Sequence, residues 1–128
     1  MDVDTAFLNG DLEDEVYIEP PAGVKCNNNE ILKLNKSLYG LKQAPYEWNK
    51  KLVFVLNELG LQQAKSDVCV FYNSKVIVAV YVDDLLIVSS LLKHVSEFKK
   101  AIALKFKIKD MGEVKSILGM TIERKSGC

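Results

Sequence analysis

Hydrophobic and polar positions alternate in several short segments of the chain, which predicts the strands of a half-buried β-sheet. Val, Ile, Phe and Tyr are frequent in these segments, and such side chains favour strands. Turn-forming pairs such as Asn9-Gly10 and Pro20-Pro21 lie between them. The predicted strands cover residues 1–3, 16–18, 31–34, 68–72, 76–82 and 85–88, with a last strand or strand pair within 113–124.

Two other segments repeat their apolar residues every three or four positions, which predicts two amphipathic helices. The first helix follows Pro45, a residue tolerated in a first turn, and stops at Gly60. The second helix is predicted to end near Phe106. The apolar stripes consist of Trp48, Leu52, Val55, Leu56 and Leu59 in the first helix and of Leu91, Val95, Phe98 and Ile102 in the second.

Tight connections between the most apolar strands predict antiparallel pairing. The trio Asn73-Ser74-Lys75 forms one such connection, and the pair Asp83-Asp84 forms the next. Along the chain the elements follow the order strand, strand, helix, hairpin, hairpin, helix, strand. This order predicts an α+β fold with helices packed on one face of an antiparallel sheet, in one domain over residues 1–128.

Composition and charge narrow the class of protein. The 48% hydrophobic and 27% charged residues are typical of a globular chain. No apolar run approaches the roughly 18 residues that a membrane span requires. Residues 1–30 carry eight acids against one base, whereas residues 86–128 carry four against nine. The basic part can neutralise phosphates, although solvated helix faces explain the same lysines equally well.

The cysteines and the single histidine give no sign of a metal knuckle. Cys26, Cys69 and Cys128 are odd in number and widely spaced, so we interpret them as free thiols, with Cys69 in the core. His94 has no partner histidine, and we assign it no role.

The dipeptide Asp83-Asp84 is chemically unusual because two like charges lie in a tight turn between very apolar strands. Hard cations bind carboxylate oxygens, and two Mg²⁺ ions about 4 Å apart can stabilise a phosphoryl displacement. Aspartate is also common in ordinary solvated turns, so the dipeptide alone leaves both interpretations open. A two-metal site needs another carboxylate from a distant segment, and Asp2 and Asp4 are candidates.

Five short motifs extend over nearly the whole chain in a fixed order. Together they resemble the motifs of copia-type retrotransposon reverse transcriptases. The block over residues 38–45 is far more discriminating than the Tyr-Val-Asp-Asp tetrapeptide. The motifs are MDVDTAFLNG at residues 1–10, SLYGLKQAP at 37–45, YVDD at 81–84, KDMGE at 109–113 and ILGM at 117–120.

The resemblance implies the palm domain of an RNA-directed DNA polymerase that uses two Mg²⁺ ions, with Mn²⁺ as an alternative. Asp2 and Asp83 would bind both metals, Asp84 would be a weaker third carboxylate, and the Val3 carbonyl would add a ligand. Asp4 falls where the family needs no acid. These residues would catalyse nucleotidyl transfer without a covalent enzyme intermediate.

The same resemblance implies contacts to the nucleotide and to the primer. Phe7 would lie beneath the incoming sugar and reject a 2′-hydroxyl, with an ordinary core phenylalanine as the alternative. For the residues expected at the primer, the alternative is an ordinary buried strand that bends at glycine. Tyr46 departs from the family, which commonly has a basic residue there. The other nucleotide residues would be Tyr39, Gly40, Gln43, Tyr81 and Val82, and the primer residues Leu118, Gly119 and Met120.

Relative to that family the chain is expected to be a truncated palm that lacks fingers, thumb and RNase H. We therefore expect weak, salt-sensitive nucleic-acid binding and little activity from this chain alone. The expected partners are an RNA or DNA template with its primer, deoxynucleoside triphosphates, and the integrase and RNase H of the Pol polyprotein, without a membrane. The expected location is a cytoplasmic virus-like particle, with a nuclear stage left open.

Two other functions stay open at this point. The chain could be a non-catalytic remnant or nucleic-acid-binding module from a decayed or captured element, although its three acids are intact. A nucleotide cyclase with a similar two-metal palm is the other alternative, because one topology hosts several chemistries. The block over residues 38–45 disfavours the cyclase.

Overall fold

A computed structural model describes residues 1–25, 27 and 29–125 of the chain. Its contacts divide the chain into two compact units. We call Met1–Asp4 with Leu61–Cys128 the sheet unit, and Thr5–Gly60 the helical unit. Cys26 and Cys128, interpreted above as free thiols, lie outside the described residues. Within the described ranges, no helix is long and apolar enough to cross a membrane.

The regular elements are mostly short strands, with one α-helix in the described part of each unit. The α+β prediction with an antiparallel sheet is confirmed. In chain order the strands are β1 Asp2–Val3, β2 Tyr17–Ile18, β3 Leu32–Lys33, β4 Gln62–Gln63, β5 Val70–Tyr72, β6 Ile77–Tyr81, β7 Asp84–Val88, β8 Ile108–Lys109, β9 Ser116–Ile117 and β10 Met120–Thr121, and the helices are α1 Ala44–Glu58 and α2 Leu92–Ala103.

The sheet unit is built on six antiparallel strands in the order β4-β5-β6-β7-β1-β8. Its central hairpin pairs β6 with β7 from Ile77↔Val88 to Tyr81↔Asp84. Alternate residues of these strands are buried, as the pleat of a half-buried sheet requires. The buried side chains of the strands are Val3, Phe71, Val78, Val80 and Leu85. Because these apolar side chains cover one face of the sheet, the residues that alternate with them lie on the opposite face.

Helix α2 and a small hairpin complete the sheet unit. The helix buries Phe98 and Ile102, but Leu91 is exposed and lies before its first residue, so the predicted stripe is narrower than expected. Among the described residues, β9 and β10 form a separate two-stranded sheet, with Met120 opposite Ile117. The predicted strand pair near the end of the chain is therefore confirmed.

The helical unit combines α1 with a two-stranded ribbon of β2 and β3. The predicted stripe of α1 is confirmed for Trp48, Leu52, Val55 and Leu56, which are buried. Leu59 is half-buried and follows the last residue of the helix. The helix ends as expected before Gly60, whose φ of 80° suits a glycine and whose N–H donates to the Asn57 carbonyl at 2.9 Å.

Sequence periodicity missed three short elements, and one residue was misplaced. The 3-10 turn Ala6–Asn9 and the strands β4 and β8 were not predicted, because two to four residues are too few to show a period. Cys69 is exposed rather than in the core. The reason is that Asp67 accepts a hydrogen bond from the Cys69 N–H at 2.8 Å, which makes a turn and delays the strand until Val70.

Candidate metal and nucleotide site

Pairing of β1 with β7 places Asp2 directly opposite Asp84. The adjacent pair, Met1 and Leu85, exchanges both backbone hydrogen bonds, at 3.0 Å and 2.8 Å. On the other side, the Val3 N–H donates to the Asp83 carbonyl at 2.8 Å. Since hydrogen-bonded and non-hydrogen-bonded pairs alternate, Asp2 and Asp84 form a non-hydrogen-bonded pair, in which side chains come closest.

The turn between β6 and β7 consists of Val82 and Asp83, one residue earlier than the predicted Asp83-Asp84 connection. Tyr81 pairs with Asp84, so Asp84 is the first residue of β7 rather than part of the turn. Val82 has a φ of 54°, a left-handed conformation that is rare and strained for a β-branched residue. The tight turn sets Asp83 next to Asp84 at the end of the hairpin.

The carboxylates of Asp2, Asp83 and Asp84 converge on one point. One oxygen from each lies within 4.8 Å of the other two, and all three residues are half-buried. Around an octahedral Mg²⁺ with bonds of about 2.1 Å, neighbouring oxygens would be about 3 Å apart and opposite oxygens about 4.2 Å apart. The three oxygens therefore fit a divalent cation after a small side-chain adjustment, or a pair of cations between them.

Electrostatics also favour a cation at this cluster. Burial raises the pKa of Asp2 above its ordinary value of 3.8, and the charges of Asp83, Asp84 and Asp4 raise it further. Lys109 acts in the opposite direction and lowers the pKa of Asp2. A bound cation would remove the repulsion among the carboxylates, because it favours their charged forms.

Two lysines lie beside the cluster at β8, Lys109 within the strand and Lys107 directly before it. Lys109 lies opposite Asp2, and the Lys107 ammonium forms an ion pair with Asp4 at 3.0 Å. Asp2, Asp4, Lys107, Ile108 and Lys109 line an open depression beside the carboxylate cluster. The local sequence signal for this strand is the alternation Lys107-Ile108-Lys109, which is too short to show a period.

Other predicted nucleotide residues of the sheet unit lie on the same hairpin. Tyr81 is exposed and is the cross-strand neighbour of Asp84, and Val82 is exposed in the turn. The Val3 backbone N–H faces the turn through its bond to Asp83. The roles of Tyr81 and Val82 at a nucleotide and of the Val3 carbonyl at a metal stay predictions.

The helical unit brings Phe7 and Tyr39 into contact. Their ring centroids are 4.4 Å apart with planes inclined by 44°, and Tyr39 is exposed while Phe7 is half-buried. Gly40 has a φ of 93°, and a Cβ there would meet no heavy atom of the described residues within 4 Å apart from its chain neighbours. Gln43 directly precedes α1. The half-buried position of Phe7 is compatible with both of its interpretations, and the role of these residues at a nucleotide stays a prediction.

The segment expected at the primer is the turn of the β9–β10 hairpin. Leu118 and Gly119 form a two-residue connection, with φ of 50° and 76°. Positive φ at both positions is what a type I′ hairpin turn requires. Leu118 and Met120 are exposed rather than buried, which argues against the buried-strand alternative. The contact to a primer stays a prediction.

Comparison with known proteins gives a consistent result over the whole chain. Residues 1–128 match the family described as "Reverse transcriptase (RNA-dependent DNA polymerase)". The chain is 42% identical, over 97% of its length, to the retrovirus-related Pol polyprotein from transposon TNT 1-94 of Nicotiana tabacum, and covers 10% of that protein. It is 33% identical, over 99% of its length, to the transposon Ty1-GR3 Gag-Pol polyprotein of Saccharomyces cerevisiae, and covers 8% of it.

These curated relatives are much longer than the chain. The chain spans about a tenth or less of each curated relative described above. No solved structure matches the chain significantly.

Proposed function

Because this chain belongs to the reverse transcriptase (RNA-dependent DNA polymerase) family of copia-type retrotransposons, we propose that it is the palm part of an RNA-directed DNA polymerase. The observation that carries the proposal is the convergence of Asp2, Asp83 and Asp84, which come from distant positions in the chain. Three carboxylate oxygens around one point are what a two-metal phosphoryl-transfer site requires.

In the proposed reaction, the 3′-oxygen of a primer attacks the α-phosphorus of a deoxynucleoside triphosphate. The hydroxyl proton passes to water, a new P–O bond forms, the bond to the bridging oxygen breaks, and pyrophosphate leaves. Two divalent cations, Mg²⁺ with Mn²⁺ as an alternative, would activate the primer hydroxyl and neutralise the charge of the phosphates. Asp2 and Asp83 would hold these cations, with Asp84 and the Val3 carbonyl as further ligands.

The remaining residues would position the substrates. The nucleotide would contact the exposed residues Tyr81 and Val82 of the β6–β7 hairpin. It would also contact Tyr39, Gly40 and Gln43 of the helical unit. Phe7, held against Tyr39, would reject a 2′-hydroxyl by its bulk. The turn of Leu118 and Gly119, followed by Met120, would contact the primer end. Correct placement of reactants supplies a large share of the rate in such reactions, since the protein forms no covalent bond.

The chain would act as one segment of a longer Pol polyprotein. Its proposed partners are an RNA or DNA template with a primer, deoxynucleoside triphosphates, and the integrase and RNase H parts of the same polyprotein. The proposed place of action is a cytoplasmic virus-like particle, with a nuclear stage left open.

Primer extension by the polyprotein segment that contains this chain tests the proposal. An Asp83→Asn variant is expected to lose extension to background, because a metal ligand is removed. The Asp14→Asn variant carries the same chemical change at an exposed aspartate of the helical unit, and it is expected to extend primers at the normal rate. Extension by Asp83→Asn at a rate close to that of the unaltered protein would overturn the proposed function.

A further inference from the structure

Four side chains form a row across one face of the sheet unit. Lys109 of β8 lies opposite Asp2 of β1, Asp2 lies opposite Asp84 of β7, and Asp84 lies opposite Tyr81 of β6. Directly opposite residues of antiparallel strands point to the same face, with Cβ atoms roughly 4.5–5.5 Å apart. One end of the aspartate cluster therefore has a lysine as its immediate neighbour.

Pairing of the edge strand β8 with β1 sets the position of the Lys109 backbone. The Asp4 N–H donates to the Lys107 carbonyl at 2.9 Å, and the Lys107 ammonium pairs with the Asp4 carboxylate at 3.0 Å. These contacts hold β8 in the register in which Val3 opposes Ile108 and Asp2 opposes Lys109. A slip of one residue would turn Lys109 to the other face, so the register decides the charge beside Asp2.

Lys109 and Asp2 of the cluster also face the same solvent-accessible depression. The open depression beside the site is lined by Asp2 and Lys109 together, and the Lys109 side chain is exposed. Its ammonium group can therefore adjust its position above the carboxylates without leaving a buried site. A flexible positive charge at this position competes with any cation that binds the same oxygens.

We propose that Lys109 is a positioning residue that serves as a built-in counter-charge for the Asp2, Asp83 and Asp84 cluster and weakens its affinity for divalent cations. The inference rests on the metal site of the proposed function and deepens it. Without a cation, Lys109 offsets part of the repulsion among three carboxylates. Once a cation binds, the same lysine faces a group of much smaller net charge, so its favourable interaction is lost.

The expected effect follows from Coulomb's law. A unit charge about 7 Å from a divalent cation in the partly screened environment of a protein surface changes the binding constant by about three- to ten-fold. Removal of the lysine charge should tighten binding by this factor.

Calorimetric titration of the 128-residue chain with Mn²⁺ measures this effect directly. Lys109→Ala is expected to lower the dissociation constant about three- to ten-fold, and Lys109→Arg is expected to keep the original value. Lys100→Ala removes the same charge from an exposed position on α2, outside the row, and is expected to change nothing. Equal affinity of Lys109→Ala and the unaltered chain would overturn the inference and leave the metal site intact.

Thermal unfolding separates this role from a purely structural one. Lys109→Ala is expected to lower the melting temperature without metal and to recover most of the difference in saturating Mn²⁺, since ligand binding stabilises the folded state according to its affinity. The same loss with and without Mn²⁺ would assign Lys109 a structural role and overturn the inference. Absence of Mn²⁺ binding in every variant, including the unaltered chain, would overturn the metal site of the proposed function together with the inference.

Discussion

The Val3 N–H donates a hydrogen bond of 2.8 Å to the Asp83 carbonyl and so ties strand β1 to the turn that carries Asp83. One bond thus connects two residues that are eighty positions apart in the chain. It also makes the neighbouring residues, Asp2 and Asp84, a non-hydrogen-bonded pair, in which the two side chains come closest. The backbone ladder, rather than any side-chain contact, therefore assembles the carboxylate cluster and brings its like charges close together.

We predict that Asp2→Asn stabilises the metal-free chain at neutral pH. The pKa of Asp2 is raised above 3.8 by burial and by Asp83 and Asp84, so the charged form is disfavoured in the folded state. The folded state then holds more protons than the unfolded one between 3.8 and the raised pKa, and stability falls as pH rises through this window. Urea unfolding should show a gain for Asp2→Asn at neutral pH that disappears below pH 3.8. A variant less stable than the unaltered chain at neutral pH would contradict this account.

We predict that Val82→Gly stabilises the hairpin turn. A left-handed φ of 54° costs a β-branched residue about 1–3 kcal/mol, and glycine removes this strain while adding about 0.5–1 kcal/mol of chain entropy. Because the Val82 side chain is 45% exposed, little burial is lost. Urea unfolding is expected to show a net gain of about 0.5–1 kcal/mol.

Val88→Gly is the matched control for the turn substitution. Val88 is the last residue of β7 and is similarly exposed, but it is part of a strand. Glycine there is expected to destabilise the chain by about 0.5–1 kcal/mol. If both substitutions destabilised the chain equally, backbone strain at Val82 would contribute little to the free energy of unfolding.

We predict that Gly10→Ala destabilises the helical unit by steric overlap. A Cβ at this position would lie 3.0 Å from the Trp48 backbone nitrogen and 3.2 Å from the Glu47 carbonyl carbon. Because the backbone of α1 cannot move as a flexible side chain can, the expected loss is about 1–3 kcal/mol in urea unfolding. Asp14→Ala, at an exposed position of the same unit, should stay within about 0.5 kcal/mol of the unaltered chain, and a similarly small effect for Gly10→Ala would refute the prediction.

We predict an opposite pH dependence for Asp110. The Lys99 ammonium donates to both Asp110 oxygens, at 2.8 Å and 3.0 Å, and with the Gly112 N–H it lowers the pKa of Asp110 below 3.8. A lowered pKa contributes stability above 3.8 that is lost as pH falls through the folded-state value. The Asp110→Asn variant should be less stable at neutral pH, by less than about 1 kcal/mol because the Asp110 side chain is 53% exposed.

Unfolding at acid pH completes the test of the Asp110 contact. The difference between Asp110→Asn and the unaltered chain should shrink as pH falls below 3.8. Glu123→Gln, at another exposed acid of the sheet unit, provides the comparison. A difference independent of pH would show that the Lys99 contact contributes no charge-dependent stability.

The sequence by itself determined the elements with a clear period and the family. Helix α1 was predictable because Trp48, Leu52 and Leu56 recur on one face, and the β6–β7 hairpin because apolar runs flank a short acidic connection. The resemblance also singled out Asp2, Asp83 and Asp84, since their motifs are local strings of residues.

Only the tertiary structure decided which of these distant segments of the chain lie next to each other. The turn lies at Val82 and Asp83 rather than at Asp83 and Asp84, because pairing of Tyr81 with Asp84 extends the ladder by one residue that propensity alone assigns to a turn. Strand β8, and with it Lys109 beside Asp2, exists only through pairing with β1. Register between distant strands depends on contacts across the whole sheet, and for that reason no local pattern encodes it.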